Sequence, residues 1–193
     1  MKARVAILTC SLVIASGFAL SAGRHSEPAA RFTAHNAIMT SPARVSLGAV
    51  DITISRWSTD AEHRQLVRTL AQEGQIAFMN LLCGFRRVGS VTVDGERHMA
   101  LRYAWETKDP DGAARVYLAS DGPIRLDTTE IQQVAEPGPL TFVELRVNPQ
   151  GDGEGKLAPG DWLSVDEHQN VIEISNYEQR PIDLIFVHRE LIK

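Results

Sequence analysis

The sequence predicts an α+β domain: a predominantly antiparallel β-sheet of about seven to eight strands, with a short helix pair packed on one face. Three features predict this fold. They are an early strand pattern, two helix patterns directly after it, and a long series of strand patterns joined by short turns. Helices that are segregated from turn-connected strands are typical of α+β domains. The 193 residues have room for one such domain.

The first strand and the first helix are close neighbours in the chain. Residues 45–57 alternate apolar and polar side chains over much of their length, which is the period of a half-buried strand. Thr59 and Glu62 then have the spacing of a capping box, in which each side chain accepts a hydrogen bond from the other residue's backbone N–H. Gly74 follows the apolar face of this helix and is a typical helix C-terminal residue.

A second helix is predicted over residues 75–82. It is apolar nearly all round, so we expect it to be buried. The pair has the outline of a helix–turn–helix, yet its second helix has no basic or amide-rich face that could enter a DNA groove. The net charge of −4 also provides no general attraction to nucleic acid or to an anionic membrane. The sequence therefore predicts no nucleic-acid partner.

Strand patterns fill the rest of the chain. They cover residues 88–93, 99–107, 115–119, 140–148, 162–165, 171–175 and 182–189. Asp94-Gly95 and Asp109–Gly112 have the composition of tight turns, which predicts a meander of antiparallel hairpins. We interpret residues 127–138 as a polar connection and the glycine-rich residues 151–155 as a loop or bulged hairpin.

The N-terminus predicts export. Lys2 and Arg4 precede an apolar run that ends in small residues, which is the layout of a secretory signal peptide over residues 1–22. An uncleaved anchor is the alternative, but the run is shorter than the roughly 20 apolar residues of a membrane span. Lipid modification of Cys10 is a second alternative, although the apolar run continues past this residue. We expect an exported protein, periplasmic or extracellular, with no membrane span after cleavage.

Removal of the signal peptide changes the charge and the cysteine count. Loss of Lys2 and Arg4 reduces the basic residues from 20 to 18 against 24 acidic residues, so the net charge becomes −6. Cys83 is then alone, which excludes an intrachain disulfide and a zinc site built on several cysteines. We expect this thiol to be buried and inert, because it follows an apolar helix, and a reactive thiol beside Arg86 and Arg87 is the alternative. Residues 23–42 are predicted to be a flexible tether and residues 43–193 the single α+β domain.

The chain resembles a group of uncharacterised secreted bacterial proteins in two strings. These strings are ITISRWSTDAE at residues 52–62 and GEGKL at residues 153–157. The resemblance extends over residues 50–190. It implies export and a bacterial source. It implies no catalytic residues, because no activity is attached to that group.

The sequence contains no complete catalytic or metal-binding motif. Asn148–Lys156 has oxygen-bearing residues at alternate positions, as at the start of an EF-hand loop, but Pro159 occupies the place of the bidentate Glu. Its glycines precede no helix, which argues against a phosphate cradle.

We expect surface positions for the six histidines, which are His25, His35, His63, His98, His168 and His188. We predict no metal, cofactor or catalytic residue, with a zinc site gathered from distant parts of the chain as the alternative.

Alternation separates two faces of the strand predicted over residues 99–107. The apolar face is expected to hold Leu101, Tyr103 and Trp105. The polar face is expected to hold Arg102, Ala104 and Glu106. The three tryptophans of the chain, Trp57, Trp105 and Trp162, either pack in the core or line a ligand cleft.

The polar faces of the central strands carry the candidate ligand-binding residues, which are Arg102, Arg115 and Arg146. With Glu106 and Glu144 they form either solvated cross-strand charge ladders or a pocket for an anionic small molecule. The pocket is chemically reasonable because an Arg guanidinium binds oxyanions in bidentate fashion.

These observations favour a non-catalytic exported domain that binds a ligand or serves as an envelope accessory. An anionic small molecule or an envelope protein is the expected partner. A hydrolase with a site assembled from separate strands is the first alternative, because such sites leave no motif in the sequence. A structural or assembly partner that uses a sheet edge or an apolar surface is the second.

Overall fold

The structure is a computed structural model and describes residues 29–41, 44–95, 97–122, 140–159, 163–166, 168, 170–174 and 181–190. The helices and strands in this part of the chain are, in order, β1 (Ala30–Ser41), β2 (Arg44–Ile54), α1 (Asp60–Glu73), α2 (Gln75–Gly84), β3 (Gly89–Val93), β4 (Arg97–Lys108), β5 (Ala114–Ser120), β6 (Thr141–Val147), β7 (Asp152–Pro159), β8 (Leu163–Asp166), β9 (Val171–Ile174) and β10 (Ile182–Glu190). The predicted signal peptide, the predicted connection over 127–138 and Trp162 lie outside the described residues.

Eight strands close into an antiparallel barrel. Around the barrel the order is β1, β10, β7, β6, β5, β4, β3 and β2, and β2 pairs with β1. Closure joins strands from opposite ends of the chain, with Arg31 opposite Glu190. β8 and β9 form a separate two-stranded hairpin. The predicted strand-dominated, antiparallel fold with two helices is confirmed, and its closure into a barrel goes beyond what the alternation predicts.

The prediction of a flexible tether over residues 23–42 is wrong for residues 30–41. These residues form β1, which pairs with both β2 and β10. Phe32 and Ala34 belong to the apolar core inside the barrel, and Asn36 is also buried. Ala34 and Asn36 occupy inward positions but are weakly hydrophobic or polar. The alternation that identifies a strand is therefore weak here, and the sequence did not predict this strand. The barrel therefore begins before residue 43.

The barrel interior, which we call the inner core, is filled by small and branched apolar side chains. Val143, Leu145 and Val147 of β6 point into it, as their alternation predicts. Alanines such as Ala104 and Ala114 alternate with larger residues there. An eight-stranded barrel is just wide enough for side chains to fill, so this interior is a packed core rather than a channel.

A second apolar cluster, the outer core, lies on the outside of the barrel. Helices α1 and α2 and the β8–β9 hairpin pack there against the outward side chains of β4–β7. The helices contribute Leu66, Val67, Leu70, Phe78 and Leu82. The barrel contributes Tyr103, Tyr117, Ala119, Phe142 and Ala158, and the hairpin contributes Leu163, Val171 and Ile172. Strands β4, β5, β6 and β7 are thus buried on both faces where the helices and the hairpin cover them.

Helix α1 begins as the sequence predicts. The Thr59 hydroxyl accepts from the Glu62 N–H at 3.2 Å, and the Glu62 carboxylate accepts from the Thr59 N–H at 2.8 Å. Arg56 adds a bidentate ion pair to Glu62, with both N–O distances at 2.9 Å. These hydrogen bonds, above all those from Arg56, lower the pKa of Glu62 to about 2. Gly74 ends the helix with φ at +83°, a conformation suited to glycine.

Helix α2 is less buried than its apolar composition predicts. Only Phe78 and Leu82 of its described side chains are buried, and Ile76 is 77% exposed. Cys83 is exposed as well, so the expectation of a buried thiol is wrong. The helix packs one side on α1 and β4 and leaves the other in solvent. Neither helix in the described part of the chain is long and apolar enough to cross a membrane.

A β-bulge changes the predicted faces of β4. The register against β5 shifts between Leu101 and Tyr103, so Arg102 is an extra residue in the strand. Leu101 therefore points into the inner core together with Ala104, while Tyr103 belongs to the outer core. The prediction that Leu101 and Tyr103 share a face is wrong for this reason.

The glycine-rich segment begins the second strand of a hairpin with β6, so of the two predicted alternatives the hairpin fits and the loop does not. β7 begins at Asp152 and pairs with both β6 and β10. A turn precedes it at Gly151, which has φ at +95°. Gly153 lies so close to the partner strand that a Cβ there would overlap the Arg146 carbonyl oxygen. Glycine lowers strand propensity, which is why a loop was one of the predicted alternatives, but here glycine allows close backbone approach.

We predict that Gly153→Ala destabilises the protein by about 1–3 kcal/mol, because the new methyl group must displace the β6 backbone. The free energy of unfolding from urea titration measures the effect. Gly84→Ala is the matched control, since a Cβ at Gly84 meets no atom within 4 Å. Equal stability of the two variants would contradict the packing of β7 against β6.

Candidate functional site

The structure brings two of the three predicted binding arginines together. Arg115 and Arg146 lie opposite each other on β5 and β6. Both contact Asp109, at 2.9 Å from Arg115 Nε and 3.2 Å from Arg146 Nε. The hydrogen bond from Arg115 is the main cause that holds the pKa of Asp109 below its usual range. Arg146 also pairs with Asp111 at 2.8 Å.

Arg102, the third predicted residue, lies apart from this pair. Its guanidinium contacts Asp121 at 2.7 Å and donates to the Phe85 carbonyl oxygen at 2.9 Å. Of the predicted cross-strand ladder, Arg115 and Glu144 form a contact of 3.8 Å. The three arginines are therefore held by carboxylates of the protein itself, and only Arg115 and Arg146 line a common hollow, which Arg102 does not reach.

Glu106 instead points into the mouth of the barrel. The bulge in β4 sets its direction, and it forms a bidentate ion pair with Arg189 of β10 at 3.0 and 3.1 Å. The Arg189 guanidinium also lies 5.5 Å from the ring centre of Phe32 and 5.9 Å from that of Trp57. Stacking on aromatic faces and a fork-shaped ion pair together fix this guanidinium in one orientation.

Two adjoining hollows lie at this end of the barrel. The first, the mouth hollow, has a volume of about 460 Å³ and lies between the ends of β4 and β10 and the turns before β5 and β7. Its charged lining residues are Glu106, Lys108, Arg189 and Glu190. The second, the tryptophan hollow, has a volume of about 340 Å³. It is lined by Trp57, Ser58, Asp60, Trp105, Glu106 and Lys108. Glu106 and Lys108 line both hollows, so we treat them as one cleft at the barrel rim, the rim cleft.

A backbone connection holds the two tryptophans on the same side of the rim. The Ser58 N–H donates to the Ala104 carbonyl oxygen at 2.8 Å, and the Ala104 N–H donates to the Ser58 hydroxyl at 3.1 Å. The segment between β2 and α1 is therefore fastened to β4. Trp57 directly precedes Ser58 and Trp105 directly follows Ala104, so both tryptophans line the tryptophan hollow.

His63 lies buried directly behind the tryptophan hollow. Its ring stacks on Trp105 with centres 4.0 Å apart and planes at 3°. Its Nδ1 is 2.8 Å from the Tyr103 hydroxyl, and its Nε2 is 2.9 Å from the Asn170 carbonyl oxygen. The expectation of a surface histidine is wrong for His63, because the β8–β9 hairpin and β4 cover it.

These contacts define the protonation state of His63. The Asn170 backbone carbonyl oxygen, which only accepts, lies 2.9 Å from Nε2 and is nearer than the Asn170 side-chain nitrogen at 3.3 Å, so Nε2 carries the proton and Nδ1 accepts from the Tyr103 hydroxyl. Burial lowers the pKa of His63, which keeps the ring neutral near pH 7. Burial also raises the pKa of Tyr103 well above its usual range, so the hydroxyl stays protonated and donates.

The rim cleft combines balanced charge with aromatic surface. Glu106 is neutralised by Arg189. Within the described residues, neither Lys108 nor Asp60 forms an ion pair or a side-chain hydrogen bond, and both are exposed. The same part of the chain holds no group of three His, Cys, Asp or Glu side chains arranged for a metal ion. The cleft is therefore suited to hold a small polar molecule by hydrogen bonds and by contact with indole rings.

Sequence reasoning identified the tryptophans but missed the rest of this cleft. Glu106 and Arg189 come from distant parts of the chain, and no short motif joins them. The only signal for His63 was its place on α1, three residues before the buried Leu66. That spacing places both on one helix face and could have indicated burial.

The chain matches no protein-family model, no curated protein and no solved structure. The rim cleft is therefore interpreted from its own geometry.

We predict that acidification destabilises the protein through His63. In the unfolded chain this histidine titrates near pH 6.5, whereas burial lowers its pKa in the folded state. The unfolded state then binds more protons below that pH. Stability is complete above about pH 6.5 and falls with decreasing pH by at most about 1.4 kcal/mol per pH unit.

His63→Gln should flatten this part of the pH profile and cost about 1–3 kcal/mol at pH 7.5, because the Tyr103 hydroxyl loses its partner. Urea titrations between pH 5 and 7.5 measure both effects. His98→Gln is the control, since His98 is exposed, and it should retain the wild-type profile. An unchanged profile in His63→Gln would contradict a neutral, buried His63.

Proposed function

We propose that the protein is a non-catalytic, exported binding domain that takes a small polar ligand in the rim cleft. The signal-peptide pattern of residues 1–22 supports export, and an exported protein would be periplasmic or extracellular. The observation that supports binding is the rim cleft itself. It offers two indole rings and two charged groups, Lys108 and Asp60, whose hydrogen-bonding capacity is available to a ligand.

The position of the cleft supports this proposal. Ligand sites of β-barrel proteins lie preferentially at the barrel mouth, where several strand ends bring polar side chains together. Here the interior below the mouth is packed, so a ligand would rest on the rim and would not enter the barrel. Glu106 lines both hollows, and its bidentate pair with Arg189 holds its carboxylate in place.

A specific observation favours a second candidate function, that of an assembly partner. Phe186 lies on a bulge of β10, is 72% exposed and has φ at +52°, where a bulky residue is strained. Its ring contacts His35 of β1, and the exposed Leu47 of β2 follows on the same outer side of these strands. Exposed apolar side chains grouped on one sheet face suit contact with another protein.

We predict that a small polar ligand raises Tm by roughly 5–10 °C when its concentration is a hundredfold above its Kd. Thermal-shift screening against sugars, organic anions, amines, metals and peptides measures this change. Lys108→Met should abolish the shift, because Lys108 lines both hollows.

Arg68→Met is the matched control, since Arg68 is exposed on α1 and lines neither hollow. A ligand that stabilises Lys108→Met as strongly as the wild type would contradict binding at the rim. Turnover of ester or glycoside substrates that is lost on changing one rim residue would replace the proposal by the hydrolase alternative.

A further inference from the structure

We infer that the ligand of the tryptophan hollow is a neutral saccharide. This inference rests on the proposed function and specifies its ligand class. It follows from two properties of the hollow, namely indole rings that are fixed in advance and hydrogen-bonding groups of opposite charge.

The first property is that a planar group supports each indole ring. The His63 ring lies parallel to Trp105 at 4.0 Å, and His63 is itself held by hydrogen bonds to Tyr103 and Asn170. The Arg189 guanidinium lies over Trp57 at 5.9 Å. Each ring also packs partly against an apolar core, Trp57 against the inner and Trp105 against the outer, and both residues line the hollow. Because their rotamers are fixed before binding, little side-chain entropy is lost when a ligand packs on them.

The second property is the balance of charge around these rings. Asp60 accepts hydrogen bonds and Lys108 donates them, and both are exposed to the hollow. A sugar hydroxyl both donates and accepts, so adjacent hydroxyls can satisfy the carboxylate and the ammonium together. The C–H faces of a sugar ring provide the flat apolar surface that an indole covers.

Charged ligands fit the hollow less well. A carboxylate ligand would be attracted by Lys108 but repelled by Asp60. An ammonium ligand would be attracted by Asp60 but repelled by Lys108. Glu106 does not alter this balance, because Arg189 neutralises it at 3.0 Å. The volume of about 340 Å³ lies within the usual range for small-molecule sites, and a second sugar ring would extend past Glu106 and Lys108 into the mouth hollow.

The test is a titration followed by tryptophan fluorescence and by calorimetry. The probes are neutral disaccharides with glucose, N-acetylglucosamine or galactose units, compared with glucuronate and choline. We expect at least one neutral disaccharide to bind and to change the fluorescence. We expect this affinity to change less than twofold between 0.05 and 0.5 M NaCl, because no net charge is neutralised on binding.

Variants locate the binding. Trp57→Leu and Asp60→Asn should each weaken disaccharide binding at least fivefold, and Arg68→Met, which is exposed on α1 and outside both hollows, should leave it unchanged. Asp60→Asn keeps the size of an exposed side chain, so the test does not depend on the folding of a tryptophan variant.

Two outcomes would overturn the inference in distinguishable ways. Binding of glucuronate or choline alone, lost in Lys108→Met or Asp60→Asn and weakened by salt, would refute the saccharide but retain a ligand site at the rim. If neither the neutral disaccharides nor glucuronate nor choline bind, the inference and the proposed function are both refuted.

Discussion

Closure of the barrel through β1 and β10 is the constraint on which the other features depend. A closed sheet has no free edge, so every strand of the barrel divides its side chains between an interior and an exterior. The interior packs with small and branched residues. Part of the exterior of β4–β7 is apolar as well, and that part must be covered. Helices α1 and α2 and the β8–β9 hairpin provide that cover, which explains why this small protein has two separate cores.

Closure also creates the rim cleft. It brings the end of β10 beside the start of β1 and places Arg189 over Phe32. Two bulges complete the arrangement. One, at Arg102 in β4, directs Glu106 into the mouth and Trp105 outward, and the other, before Val187 in β10, directs Arg189 inward. The cleft is therefore a product of irregularities in the sheet rather than of any contiguous motif.

The parts of the fold that depend on neighbouring residues were predictable. The capping box of Thr59 and Glu62, the turn at Asp109–Gly112 and the inward side of β6 rest on contacts close in sequence, and the structure contains all three. The missing strand β1 shows the limit, because its inward positions hold residues as weakly hydrophobic as Ala34 and Asn36. Its identity as a strand depends on partners supplied by distant residues.

The candidate site was harder to predict for the same reason. Arg102, Arg115 and Arg146 were chosen by residue type, yet carboxylates from turns beside them bind each one. His63 was assigned to the surface because its cover comes from a hairpin about a hundred residues later in the chain. A bulge cannot be read from alternation alone, so the direction of Glu106 could not be predicted either.

Amide hydrogen exchange of β1 tests the closed barrel most directly. The backbone amides of β1 around Phe32 and Asn36 should exchange as slowly as those of β2, because both residues are paired with β2 on one side and with β10 on the other. Exchange of these amides at the rate of an unstructured chain, with β2 still protected, would show that the barrel is open and that the rim cleft is not formed as described.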